Sequence, residues 1–193
     1  AIYFADSGSS EKMRIDSSGR LLIGTTSARS IANITCKTQI EATDGTAALS
    51  ITRNDNAAAA STCRLNFGRT RATSLGGVTA VTTNDILGEI RFSGSDGTDL
   101  TNHAASIGAV VDGSVSNNTV PGRLVFNTAT GSDPVERMRI ASTGDVLIAT
   151  TSASIFNDTS GGGFVVKADG QLVIKKEATS TADPLVWLND TGQ

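Results

Sequence analysis

An eighteen-residue stretch occurs twice in this chain of 193 residues. The first copy, EKMRIDSSGRLLIGTTSA, covers residues 11–28, and the second, ERMRIASTGDVLIATTSA, covers residues 136–153. Twelve of the 18 aligned positions are identical, and the offset is 136 − 11 = 125 residues. Self-similarity at a fixed offset marks a supersecondary unit that does not bury its apolar face alone. Any fold of this chain must therefore accommodate the same unit at least twice.

Each copy has the pattern of a β-hairpin. Met13 and Ile15 alternate with polar residues, as in a half-buried strand. Residues 17–19, Ser-Ser-Gly, supply turn chemistry, and Leu21 and Ile23 resume the same face. A third, more divergent copy, FVVKADGQLVIKK, starts at Phe164. We predict that one shared interior contains the apolar residues of all three copies: Met13, Ile15, Leu21, Ile23, Met138, Ile140, Val146, Ile148, Val166, Leu172 and Ile174.

A single hairpin of this size cannot hold itself together. Burying its four inward side chains gains less free energy than ordering its backbone costs. The first two copies lie 125 residues apart and cannot easily cover each other's apolar side chains. We therefore predict a parallel homotrimer, in which three chains in register place three copies of each apolar residue at one level.

The composition favours a narrow interior. Aromatic residues make up 4% of the chain and charged residues 18%, while Ser, Thr, Asn and Gly are abundant. We predict an all-β fold with almost no helix: an elongated homotrimeric fibre, intertwined or side by side, of the β-prism or triple β-helix type. The predicted parts are a hairpin repeat at 1–30, a β-rich body at 31–135, and the second and third repeats at 136–193. Within the body, Asp44-Gly45 favours a hairpin between strands at 31–42 and 47–55.

Charge and cysteine usage exclude several classes of function. The net charge of −3 gives no general attraction to nucleic acid or to a membrane surface, and no apolar run has the length of a membrane span. Cys36 and Cys63 lack metal-site spacing, so we expect two free, buried thiols, with a bridge between them as the alternative. The chain opens inside a strand pattern and shows no signal peptide, so we interpret it as a fragment or processed piece of a longer protein.

His103 is the only histidine and has no second histidine near it in the sequence. We interpret it as an ordinary residue rather than a metal ligand on a threefold axis. It is also the only candidate base for a nucleophile such as Ser106, Cys36 or Cys63, but none of these has nucleophile-elbow context. The sequence therefore assigns no catalytic residue, metal or cofactor.

Two polar clusters have a functional and a plain interpretation. Asp96, Asp99 and Glu89 have the residue types of a calcium or glycosidase site, but an aspartate beside glycine is typical of turns. The arginine cluster at residues 64, 69 and 71, with Phe67, has the residue types that grip an acidic glycan or phosphate, but it also fits a solvated strand face. We favour the plain interpretation of both.

The repeat E-[KR]-M-R-I-x-S-[ST]-G-x-[LV]-L-I-[GA]-T-T-S resembles the "RMRI…G…IGTT" repeats of bacteriophage tail fibres, especially those of marine and cyanobacterial phages. GEIRFSGSDGTDL, ASIGAVVDG and PGRLVFNTATGSDP are similar to segments between such repeats, and LVWLNDTG is similar to a segment that precedes the terminal knob. The resemblance implies a homotrimeric, extracellular fibre of the virion that displays a receptor-binding surface. It assigns no receptor-binding residue.

We therefore expect a structural or adhesive shaft or pre-tip segment, not an enzyme. Its expected partners are two further copies of itself, the rest of the fibre, and a host cell-surface glycan or protein. One alternative is an extracellular β-rich filament or adhesin of a cell. The other is a glycan depolymerase or lyase on a triple-stranded β-scaffold, which the scarcity of aromatics and the lack of an acid–base set disfavour.

Overall fold

A computed structural model describes residues 1–54, 62–131 and 133–176, together with the backbone of 186–188. Within these ranges the chain is all-β, as predicted, and has no α-helix; a single 3-10 turn covers Ile155–Asn157. The chain forms two compact units, Ala1–Asn66 with Ser93–Asn102, and Phe67–Phe92 with His103–Gln193.

The first unit contains a four-stranded sheet in chain order. Strands β1 (Ile2–Ala5), β2 (Glu11–Ile15) and β3 (Leu21–Ile23) are antiparallel, and β4 (Thr38–Ile40) pairs with β3 in parallel. The first repeat is thus the predicted hairpin, β2–β3.

The hairpin predicted between 31–42 and 47–55 is wrong. β4 occupies the free edge of β3 instead, where Leu21 N donates to Lys37 O at 2.7 Å and Glu41 N to Ile23 O at 2.9 Å. The Asp44 carboxylate accepts the Thr46 N–H at 2.9 Å and closes a local turn. No strand follows this turn between residues 47 and 54.

The remaining strands form one eight-stranded sheet whose spatial order follows the chain. The second and third repeats form the predicted antiparallel hairpins, β8–β9 and β10–β11, whose ranges are given below. The strands next to these hairpins also pair with them in an antiparallel direction. The strands are β5 (Ile86–Gly94), β6 (Asn102–Val111), β7 (Gly122–Thr128), β8 (Val135–Ile140), β9 (Val146–Ile148), β10 (Gly163–Val166), β11 (Leu172–Lys175) and β12 (Val186–Leu188).

The three hairpins share one turn geometry. In the first, Asp16 N donates to Arg20 O and Gly19 N donates to Asp16 O, both at 3.0 Å. The same two bonds recur in the second and third turns. The turn glycines Gly19, Gly144 and Gly170 have φ of 69°, 93° and 91°. Glycine is retained at this position because only it adopts this left-handed conformation without a steric cost.

The packed core of the second unit lies on one side of the sheet. Leu147, Val165 and Val173 are almost completely buried there, and the 3-10 turn covers them with Ile155. In the first unit Leu22 is fully buried in the equivalent position. The two cysteines lie outside both cores: they are free and exposed, so the prediction of buried thiols is wrong.

Candidate functional site

The opposite side of each repeat sheet carries two continuous rows of apolar side chains. Paired residues of adjacent strands project to the same side, so the register fixes the rows. In the second unit, Ile140 pairs with Val146 and Val146 with Val166, while Met138 pairs with Ile148. We call this side the repeat face. Across β7–β11 it consists of Leu124, Ile140, Val146, Val166 and Leu172 in one row and Phe126, Met138, Ile148, Phe164 and Ile174 in the other.

The first unit has the same arrangement. Ile15 pairs with Leu21 and Met13 with Ile23. The neighbouring strands extend both rows with Ile2, Phe4 and Ile40. All eleven residues predicted for the trimer interior therefore lie on the two repeat faces.

Much of the repeat face is open to solvent in the single chain. Ile15 is 42% exposed, and Ile140 is 37% exposed. Further exposed members include Ile148, Ile174 and Phe4. Burial of this face between chains remains a prediction.

Sequence reasoning missed the other side of the sheets, which the chain covers with its own residues. Leu147 pairs with Val165 and Val165 with Val173, so the buried row runs straight across three strands. A signal was present, because LLI and VLI are apolar at every position. Unbroken apolar runs are typical of strands that are buried on both faces.

An ion pair retained in both repeats lies on this covered side. Arg139 pairs with Val125 and Leu147 in the ladder and forms a bidentate ion pair with Glu136. Arg14 and Glu11 make the same pair in the first repeat, where the hydrogen bond from Arg14 lowers the pKa of Glu11. The repeated E-x-x-R pattern thus places a partly buried charge on the covered side of the sheet and neutralises it there.

His103 and Ser106 do not form a catalytic relay. His103 Nε2 lies 3.1 Å from Ala105 O and 4.0 Å from Glu89 Oε1. Ser106 is buried and accepts a hydrogen bond from Asn127 Nδ2 at 3.0 Å. His103 Nε2 thus contacts a backbone oxygen and a distant carboxylate, whereas a relay requires it to bond the serine hydroxyl.

The aspartates at 96 and 99 have turn-forming roles. Asp96 Oδ1 accepts the N–H of Thr98 at 2.8 Å and of Asp99 at 3.2 Å. Asp99 accepts the N–H of Thr101 at 2.8 Å. Among the described residues, no group of three histidine, cysteine or acidic side chains is arranged to hold a metal.

Two members of the arginine cluster share one carboxylate. Arg71 Nε and Arg69 Nη2 lie 2.7 and 3.0 Å from the buried Asp85 carboxylate. The hydrogen bond from Arg71, with that from Thr82 N, lowers the pKa of Asp85 to about 2. Arg64 is exposed and contacts Thr62. The Asp85 carboxylate thus holds both guanidinium groups beside the start of β5.

The first unit also has an open depression of about 530 Å³. Its cations are already paired within the chain, Arg29 with Glu41 and Lys12 with Asp6. It therefore offers no unpaired cation to a ligand.

Two comparisons with known proteins found no match. No protein-family profile matches the chain, and no curated protein matches it significantly. In the part of the chain that the structure describes, no helix has the length and apolar character needed to cross a membrane. The repeat faces are thus the feature from which a function is inferred.

Proposed function

We propose that the chain is a structural and adhesive segment of a homotrimeric viral tail fibre, in which the repeat faces of three copies pack around a common axis. The observation that carries this proposal is the repeat face itself. An antiparallel sheet with one face covered by its own chain normally presents polar residues on the other. Here the other face carries two apolar rows across β7–β11.

The recurrence of this face favours assembly over a local ligand pocket. Contiguous exposed apolar patches mark interaction surfaces. The same two rows occur in both compact units, formed by equivalent repeat residues such as Ile15 and Ile140. Identical chains in register bring identical rows together at each level, and closed symmetry lets each copy use one surface for the same purpose.

The size of the side chains fits a narrow axis. The eleven predicted repeat residues are Ile, Leu, Val and Met, and Phe enters the rows at Phe164 of the third repeat and on the flanking strands β1 and β7. Three Ile or Leu side chains fill a small space at one level without the bulk of aromatic rings. The likeness of the repeat to tail-fibre repeats supports the same assembly.

Sedimentation equilibrium tests the assembly. A mass three times that of the 19.8-kDa chain is expected. A compact monomer at micromolar concentration would exclude the proposed trimer.

The adhesive role rests on many weak contacts from a polar surface repeated three times. Incubation with a host surface polysaccharide is expected to show binding without shortening of the glycan. Steady release of oligosaccharides would instead favour a glycan-cleaving enzyme.

A further inference from the structure

Arg69, Arg71 and Asp85 form a cluster in the second unit that carries more positive than negative charge. The Asp85 side chain is 7% exposed, whereas those of Arg69 and Arg71 are 39% and 49% exposed. Both arginines approach the same oxygen, since Arg69 Nη2 lies 3.0 Å and Arg71 Nη2 3.2 Å from Asp85 Oδ1. Two guanidinium groups beside one carboxylate leave one positive charge uncompensated at the surface.

The Asp85 carboxylate has no position left for a further donor. Its Oδ2 atom accepts Arg71 Nε at 2.7 Å and Thr82 N at 2.9 Å, and its Oδ1 atom faces the Nη2 atoms of both arginines. A carboxylate offers about four lone-pair positions, and a nitrogen approaches each of them here. Compensation of the remaining positive charge therefore requires a second anion.

Both guanidinium groups retain donors for such an anion. Arg71 uses one N–H of Nε and one of Nη2 on Asp85, and Arg69 Nη1 donates to Ile86 O at 2.8 Å. Apart from the contact of Arg69 Nη2 with Asp85, their other N–H groups bind no described residue. Arginine N–H groups match the paired oxygens of carboxylate, sulfate and phosphate groups. Free donors beside an uncompensated charge thus indicate an oxyanion site.

Hydrogen bonds fix the peptide backbone under the cluster. Arg71 N donates to Thr79 O at 3.1 Å, and Thr79 N donates to Thr70 Oγ1 at 2.7 Å. On the other side of the cluster, Asp85 N donates to Thr82 O at 3.0 Å. The two arginines are therefore positioned before a ligand arrives, which lowers the entropic cost of binding.

Two other arginine ion pairs of the same unit are balanced. Arg91 pairs with Glu89 at 2.7 Å and Arg123 with Asp112 at 2.9 Å, so each guanidinium has its own carboxylate. Arg91 is 38% exposed, almost the same as Arg69. The excess charge, rather than the exposure, distinguishes the cluster from a solvated strand face.

We propose that Arg69 and Arg71 bind the carboxylate or sulfate groups of an acidic polysaccharide. This inference rests on the proposed adhesive function and names the class of its ligand. One pair of partly exposed arginines binds such a group weakly, because water and salt compete for the charges. Three copies of the site in a homotrimer act together on a polymer that repeats its charge.

A polysaccharide fits the cluster better than a nucleic acid does. Proteins that bind nucleic acid neutralise many phosphates with a broadly basic surface. This cluster contributes one uncompensated charge on a chain whose net charge is −3. An acidic glycan with charges spaced along its sugars needs only one such contact at each site.

Binding of the assembled protein to immobilised dextran sulfate and to uncharged dextran tests the inference. We expect at least about tenfold tighter binding to dextran sulfate, and sodium sulfate should compete better than sodium chloride at equal ionic strength. Equal affinity for the two polymers, or tighter binding to duplex DNA than to dextran sulfate, would overturn the inference. Sedimentation and the host-polysaccharide assay test the proposed trimer and its adhesion separately, so either can stand when this site fails.

Single substitutions locate the site. Arg69→Ala and Arg71→Ala each leave one guanidinium for the Asp85 carboxylate and should weaken binding to dextran sulfate at least about fivefold. Arg91→Ala is the matched control, because it removes the same charge at the same exposure, and its affinity should stay within about twofold of the parent. Equal weakening by all three variants would show general electrostatic attraction and overturn the site.

The two arginine variants also protect the test against a folding defect. Arg69→Ala keeps the hydrogen bonds that Arg71 and Thr82 make to Asp85, so the turn before β5 should remain intact. Thermal unfolding checks each variant. If Arg71→Ala lowers the melting temperature, Arg69→Ala alone decides, and parental affinity in that variant would refute the proposal.

Discussion

The first and second repeats form the same three-stranded arrangement. β1–β2–β3 and β7–β8–β9 share their hairpin registers, and each has an irregularity at the same place, after Phe4 in one and after Phe126 in the other. The Glu–Arg ion pair also recurs. The local sequence therefore specifies the unit independently of the residues that surround it.

The two repeats differ in the strand that follows. The next strand is parallel in the first unit (β4) and antiparallel in the second (β10). Gly24 and its counterpart Ala149 both have positive φ, 75° and 58°, and donate N–H groups to Lys12 O and Arg137 O. A Cβ at position 24 would lie 2.0 Å from Glu41 O, so the parallel strand restricts this position to glycine.

The largest expected effect comes from a charge on the repeat face. In the proposed trimer, Ile140→Asp places three carboxylates at one desolvated level, where they repel one another. We expect the dissociation constant to rise more than about a hundredfold, and Ile15→Asp to act similarly if the two repeats are equivalent.

Arg139→Ala is the matched control for this experiment, because Arg139 is adjacent in β8 but lies on the side that its own chain covers. It should assemble as a trimer, although its hairpin loses an ion pair. Sedimentation velocity measures all three variants. Equal tolerance of Ile140→Asp and Arg139→Ala would contradict the assignment of the faces.

Truncation of the buried leucine in each unit should destabilise the two units by different amounts. Leu147→Ala leaves a cavity against Val165, Val173 and Ile155, so we expect a loss of about 3–4 kcal/mol in the free energy of unfolding. Leu22 lies between Arg14 and Gln39 in its ladder, and its truncation should cost less, about 2–3 kcal/mol. Urea unfolding measures both variants, and a larger loss for Leu22→Ala would reverse the comparison.

Substitution of the residue that follows each hairpin, Gly24 or Ala149, should change the free energy of unfolding by a smaller amount. Gly24→Ala should destabilise by roughly 1–3 kcal/mol, because the new Cβ meets Glu41 O and φ is left-handed. Ala149→Gly relieves the same backbone cost and should stabilise by about 0.5 kcal/mol. Thermal unfolding distinguishes the two signs, and a melting temperature that rises for Gly24→Ala would refute the steric explanation.

Acid should weaken both repeats through different positions. The Arg20 N–H lowers the pKa of Asp16 in the first turn, and the Ala168 N–H lowers that of Asp145 in the second. A pKa lowered by folding gives stability that is present above the ordinary aspartate pKa of about 4 and is lost as the pH falls below it. Asp16→Asn and Asp145→Asn should each make the unfolding midpoint less dependent on pH in that range. An unchanged pH profile in either variant would show that its carboxylate contributes nothing.

The sequence predicted what local chemistry determines. Alternation around Met13 and Ile15 located the strands and the apolar face, and glycine located the turns. It did not predict the parallel β4, because no pattern near Thr38 states which strand edge it will join. The buried role of Leu22 and Leu147 was missed for a related reason. Their apolar neighbours on both sides made either face a candidate, and only tertiary packing distinguished them.

The spacing of the last two hairpins has a consequence for the gene. Equivalent residues are separated by 166 − 140 = 26 and 170 − 144 = 26 positions. The strands that join the two hairpins, β9 and β10, pair directly, with Val166 beside Val146. Duplication or deletion of 26 codons would therefore add or remove two strands without shifting the remaining rows. Unequal recombination between repeats would change the sheet by two strands at a time, and each product would keep the same pairing between neighbouring hairpins.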